Sequence, residues 1–218
     1  MCRISNTVIF IFIVTFFTGC SNDEQPPAID FQFNMVTYNG MAGGANFSYQ
    51  SYDDSPEIIL RAPDIKNINM RVGQRTMMNY VVIKEETANI QDISIRGVAN
   101  VLFDSLRVSS LENINQLPNN PMQLKSVWRT GNFINLNCLL QYTGQARQFM
   151  MIMDRETWHN EIVDVYVIDN VMNAETYFYR KAYGSFFVGN VWNLSTCRTL
   201  RVHLNVENYP EKYYDFSK

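Results

Sequence analysis

Between Phe133 and Tyr142 the apolar residues Ile134, Leu136, Cys138, Leu140 and Tyr142 fall on alternate positions, with Asn135, Asn137 and Gln141 between them. Successive side chains of an extended chain point to opposite faces, so this spacing describes a strand with one buried and one wetter face. The same grammar recurs along the chain. "DFQFNMVTY", "EIILRA", "RTMMNYVVI" and "VANVLFDSLRV" are short, rich in β-branched and aromatic residues, and separated by Asn-Gly, Gly-Gly, Asp-Asp-Ser-Pro and Val-Gly turns. "LKSVWR", "NFINLNCLLQY", "RQFMMIM", "IVDVYVI", "AYGSFFVG", "LRVHLNV" and "KYYDF" form a second set. The best helical stretch, Arg155 to Glu161, is a turn or two. Doubly wound α/β folds need helices between strands and are excluded.

Between the two sets lies "LENINQLPNNPM", residues 111 to 122, with two prolines, four asparagines and no alternation. Proline lacks the N–H a strand ladder needs, so no central strand passes here. The domain boundary is expected at Pro118 to Pro121. Residues 29–118 then form a barrel of about five strands of the OB type, and residues 119–218 a β-sandwich of about seven. The fold class is all-β.

Arg3 is the only charge before Asp23, and the apolar run Val8 to Phe17 separates them. A membrane-spanning helix needs about 20 such residues, whereas a secretory signal needs a basic start, a shorter apolar centre and small residues at its cleavage site. Phe17-Thr18-Gly19-Cys20 resembles the bacterial lipobox, with Phe17 where leucine is usual. On that reading residues 1–19 are removed and Cys20 becomes the acylated first residue. Several acyl chains anchor a protein stably where one holds it only marginally. Residues 20–28 are polar and proline-bearing and read as a tether. Ser21, Asn22, Asp23 and Glu24 resemble the acidic export signal of Bacteroidetes surface lipoproteins, which implies an outer-membrane, surface-displayed protein whose membrane contact is its lipid.

Removal of residues 1–19 leaves 17 basic and 21 acidic residues, so 17 − 21 = −4. No basic cluster large enough for a nucleic acid is present. Cys138 and Cys197 remain for the folded part. Cys138 sits on the apolar face of its strand as a small hydrophobe, and a bond to Cys197 stays open in an oxidising compartment.

Leu200, Val202, Leu204 and Val206 alternate with Arg201, His203, Asn205 and Glu207, which puts His203 on a solvated face. His159 lies near Asp154, Glu156 and Glu161 beside Trp158, without the His-x-x-x-His or Cys-x-x-Cys spacing of a metal site. No metal or other cofactor is expected. No Gly-x-Ser-x-Gly elbow is present, and acids such as Asp53, Asp54, Glu85, Glu86, Asp164 and Asp169 are the pairs any acidic surface offers. The aromatic residues are more informative. Tyr177, Tyr179 and Tyr183 lie near Arg180 and Lys181, with Trp128 and Trp192 in the same domain. Such rings combine a flat apolar face with a polar edge and suit a protein or glycan partner. Asp104-Ser105-Leu106 resembles a Bacteroidetes O-glycosylation acceptor at Ser105. The expectation is a non-catalytic binding protein; the alternative is an envelope hydrolase built from loop acids and His159.

"MRVGQRTMMNYVV" and "PNNPMQLKSVWRTGNFINLNCLLQY" resemble the NigD-like lipoproteins of Bacteroidetes. There a Val-Gly-Gln-Arg turn opens a strand of the first domain, and an apolar-Trp segment followed by Gly-Asn-Phe-Ile-Asn-Leu opens the second. The resemblance implies an OB-like domain followed by a β-sandwich, no catalytic residues, and an association with bacteriocin production.

Overall fold

A computed structural model describes residues 30–218. The signal segment, Cys20 and the acidic stretch Ser21–Glu24 lie outside the described residues. The first five strands are β1 (Phe31–Met41), β2 (Ala45–Tyr49), β3 (Ile58–Ala62), β4 (Arg75–Thr87) and β5 (Ile90–Asn100). They close into a barrel in the order β1-β2-β3-β5-β4, with β3 parallel to β5 and β1 closing against β4. This is the strand order of an OB-type barrel, as the sequence resemblance implies. Phe47, Leu60, Met78, Tyr80 and Ile93 fill the interior without exposure. The long β3–β4 connection folds Ile65, Ile68 and Met70 back onto that core, which closes one end of the barrel.

The remaining strands are β6 (Leu102–Ser105), β7 (Arg107–Ser109), β8 (Gln123–Thr130), β9 (Phe133–Gln141), β10 (Gln148–Asp154), β11 (Ile162–Asn170), β12 (Tyr179–Phe187), β13 (Thr199–His203) and β14 (Tyr213–Ser217). Two short helices, α1 (Leu111–Asn115) and α2 (Gly189–Trp192), interrupt them. One sheet runs β14-β13-β11-β10-β7 and the other β6-β12-β9-β8. Their inner faces share one core, which includes Leu136, Cys138, Met151, Val165, Phe186 and Val202. Cys138 and Cys197 are both buried and unbonded.

This half has nine strands, against the seven expected, because β6 and β7 belong to it. The stretch "VANVLFDSLRV" therefore divides. Its first residues finish β5, while Leu102–Ser105 pairs with β12 and Arg107–Ser109 with β10, both in parallel. The chain leaves the barrel at Asn100, well before Pro118. The proline-rich stretch forms α1 and a loop whose Asn119 and Asn120 side chains accept from backbone N–H groups of Asp169 and Val171.

The barrel wall packs on the outward face of the four-stranded sheet. Met35 and Met77 meet Tyr183, Val101 and Trp128 there. Beside them Arg75 is only 4% exposed and donates to Thr37 Oγ1, Ser185 Oγ and Asn135 Oδ1 at 2.9 to 3.1 Å. Its guanidinium also lies 4.3 Å from the centre of the Phe133 ring. A second clamp joins the β2–β3 loop to the sheet. Arg129 forms a two-pronged pair with Asp54 at 2.7 and 2.8 Å and covers the Trp192 ring at 4.3 Å. The Arg129 guanidinium holds the Asp54 carboxyl below its ordinary range. Gly131 has φ +53°, the left-handed region that favours glycine, and a Cβ there would also have to displace the Gln50 side-chain amide.

Arg129 and Asp54 contribute unequally, because the arginine side chain is 3% exposed and the aspartate 72%. Arg129→Ala removes a buried cation, a ring contact and side-chain volume, and is expected to cost about 2–4 kcal/mol in urea denaturation. Asp54→Ala is expected to cost under about 1 kcal/mol, as for other exposed ion-pair partners.

Candidate functional site: a basic and aromatic mouth

Where the end of β5 meets the start of β12, the protein forms an open cavity of about 800 Å³. Leu140 and the turn Tyr142–Arg147 between β9 and β10 form one wall, Arg180–Tyr183 another, and Ala99, Asn100 and Leu102 the third. Leu102, Leu140 and Ala182 pack against the sandwich core, so the floor is apolar. The rim is cationic.

Two of its cations are unspent. Arg180 lies 5.6 Å from the Tyr142 ring and Lys181 5.0 Å from the Tyr183 ring. Neither forms an ion pair among the described residues. The stem of β9 continues past its last strand residue: Tyr142 N–H donates to Phe178 O and Tyr177 N–H to Tyr142 O, at 2.7 and 3.0 Å. That pairing stacks the Phe178 ring on Tyr142 with centroids 5.0 Å apart. Thr143 Oγ1 accepts from Gln145 N–H at 3.1 Å and tightens the turn, with Gly144 at φ +68°.

The third cation is committed. Arg147 contacts both oxygens of Asp169 at 2.9 and 3.0 Å and donates to the Gln141 carbonyl. Asp169 is fully buried, and burial pushes its carboxyl up to about 6 although Arg147 opposes the shift. The pair holds the hairpin against β11 and so sets the shape of the cavity wall.

The five aromatic residues singled out in the sequence separate. Tyr177 is 68% exposed and Tyr179 half-buried, on the segment leading into β12 and outside the cavity lining. Tyr183 lines the cavity, yet it is buried between barrel and sheet, with Phe33 6.3 Å away. Trp128 is half-buried in the same contact, and Trp192 lies in the sandwich core under Arg129. Alternation cannot separate an outward face that meets solvent from one that meets another domain, and Tyr183 and Trp128 sit on such a covered face. Tyr142, Phe178 and Arg147 were not anticipated; the only signal was the concentration of aromatic and basic residues just upstream of β12.

Ser105 is exposed at the end of β6, where Asp104 accepts from its backbone N–H at 2.8 Å. His159 is exposed beyond a turn of 3-10 helix (Arg155–Thr157), and Asp154 caps that turn by accepting from Glu156 N–H. The histidine that does find a carboxylate is His203, whose Nε2 is 2.7 Å from Asp164 Oδ1 while its ring stacks on Tyr166 at 4.4 Å. The parallel β11–β13 register makes this pair, and no spacing in the sequence announces it. Among the described residues no group of three or more His, Cys, Asp and Glu side chains could hold a metal ion.

No family model matches the chain, and no curated protein matches it in sequence. Solved structures do match. A NigD-like immunity protein from Bacteroides caccae superposes with a TM-score of 0.60 at 16% identity, over 89% of this chain and 94% of that one. The chain shares the fold of that protein. A protein of unknown function (DUF1344) from Bacteroides vulgatus reaches a TM-score of 0.70 at 15% identity, covering 87% of this chain and 91% of the other. A protein classed as a lipoprotein in Bacteroides fragilis gives 0.61 at 12% identity, covering 86% and 98%. At these identities the likeness establishes the barrel-plus-sandwich architecture, which the NigD-like resemblance of the motifs also implies.

The Asp169 carboxyl, raised by burial, favours folding when protonated. Its contribution is full below the ordinary carboxylate range and is lost as pH rises through about 6. Arg147→Gln removes the one opposing charge and pushes that carboxyl higher still. The variant's loss of melting temperature, followed by circular dichroism, is therefore expected to be large at pH 7.5 and distinctly smaller at pH 5.

Proposed function

We propose that this chain is a non-catalytic, lipid-anchored protein of the outer membrane. On this reading it belongs with the NigD-like lipoproteins, is displayed at the cell surface, and binds a protein or glycan partner at the basic and aromatic mouth. The observation that carries the binding reading is the pair of exposed cations, Arg180 and Lys181, without acid partners above an apolar cavity. A charged side chain that its own protein leaves uncompensated beside a concave apolar surface is a common feature of recognition sites. Tyr177 and Phe178, exposed on the segment that pairs with the wall residue Tyr142, add flat apolar area nearby.

The hydrolase alternative has less support. Of the acids near its histidine in sequence, Asp154 is occupied in capping a turn. His203 and Asp164 resemble two members of a catalytic triad. Among the described residues, however, no serine, threonine or cysteine hydroxyl or thiol hydrogen-bonds to His203. One structure sharing the fold is named an immunity protein, which makes protection against a toxin the first phenotype to test. Ser105 is proposed as a glycan acceptor on its exposure and its Asp104 neighbour.

Anchoring and display are tested in cells. Alkyne-palmitate is expected to label the wild-type protein and to leave Cys20→Ala unlabelled. Protease added to intact cells is expected to remove the wild-type protein; complete protection would place it on the periplasmic side.

A further inference from the structure

We infer that the partner at this mouth is a protein, recognised through a peptide segment that sets an apolar side chain among carboxylates. The inference rests on the binding reading above and narrows it. The floor, Leu102, Leu140 and Ala182, offers apolar depth, and a cavity of about 800 Å³ exceeds what a single side chain fills. Arg180, on the face of β12 toward Tyr142, and Lys181, on the opposite face toward Tyr183, put one cation on each side of the cavity in a chain whose net charge is −3, so local and global charge have opposite signs. That contrast favours an acidic visitor and repels a basic one.

The aromatic rings decide between an acidic peptide and an acidic sugar. A sugar needs a bare ring face inside the site. Here Tyr142 is stacked with Phe178 and approached by Arg180, while Tyr183 is buried and approached by Lys181 and Phe33. What remains inside is an aliphatic pocket with a cationic lip. A Phe or Leu side chain fills the first, and flanking carboxylates meet the second.

The test uses the mature chain carrying Cys20→Ser and defined probes, with isothermal titration as readout. The probes are the peptides Asp-Asp-Phe-Leu-Asp-Asp, Asp-Asp-Gly-Gly-Asp-Asp and Lys-Lys-Phe-Leu-Lys-Lys, and a heparin tetrasaccharide. The first peptide is expected to bind saturably, at least about tenfold more tightly than the other two. Arg180→Glu with Lys181→Glu is expected to weaken it at least about tenfold and to make the lysine peptide the preferred one. Both side chains are exposed, and circular dichroism verifies that the fold survives. Equal binding by the charge-reversed variant, or no saturable binding of the acidic peptide up to about 1 mM, overturns the inference. If the heparin fragment binds more tightly than every peptide and the variant loses it, the mouth remains the site and the peptide inference alone fails. If no probe binds, the inference and the binding reading fall together.

Discussion

A buried cation sits at the centre of the contact that ties the two halves of this protein together. The Arg75 guanidinium is removed from water at the contact between barrel and sheet, and burial draws its pKa down to about 10. Removing such a charge from water costs several kcal/mol unless every donor finds an acceptor. Among the described residues no acid supplies the compensation. Three neutral oxygens do so instead: Thr37 from the barrel, and Ser185 and Asn135 from the sheet, with Phe133 offering its ring face. Asn135 is itself fixed, since its amide donates to Thr130 Oγ1 and its oxygen also accepts from Ser185. If the barrel slid along the sheet, the cation would be left without acceptors, so one relative placement is favoured over its neighbours.

This geometry gives a physical meaning to two short motifs. Arg75 is the last residue of the Val-Gly-Gln-Arg turn, and Phe133 and Asn135 belong to the Gly-Asn-Phe-Ile-Asn-Leu segment. Segments far apart in sequence meet across the domain contact. They mark turns and strand openings when read singly, and together they form the lock. Arg129, from the apolar-Trp segment, adds the second clamp on the far side of Gly131.

Much of the architecture was legible because alternation reports burial directly. Leu200, Val202, Leu204 and Val206 all point inward as their spacing requires, and Cys138 is a buried hydrophobe. What alternation does not report is the partner. β6 and β7 are three or four residues each and are held by parallel pairing to strands far along the chain, so they read as the tail of the barrel. Tyr183 and Trp128 face outward from their sheet and are covered by the barrel. Pairing, not composition, brought His203 to Asp164 and assembled Tyr142, Phe178 and Arg180. The site was thus visible as a local concentration of residue types, while its cavity arises from the junction.

The junction also links stability to binding. Ala99 and Asn100, the last residues of the barrel, form one wall of the cavity, and Tyr183 serves both the domain contact and the lining. Holding the barrel in place therefore holds the mouth open at one width, which reduces the ordering cost when a partner arrives. The most direct measurement of this account is differential scanning calorimetry of the mature chain and of its Arg75→Met variant. The account predicts one cooperative transition for the wild type. For the variant it predicts a lowered melt that separates into barrel and sandwich transitions. A variant that melts in a single transition at the wild-type temperature would contradict it.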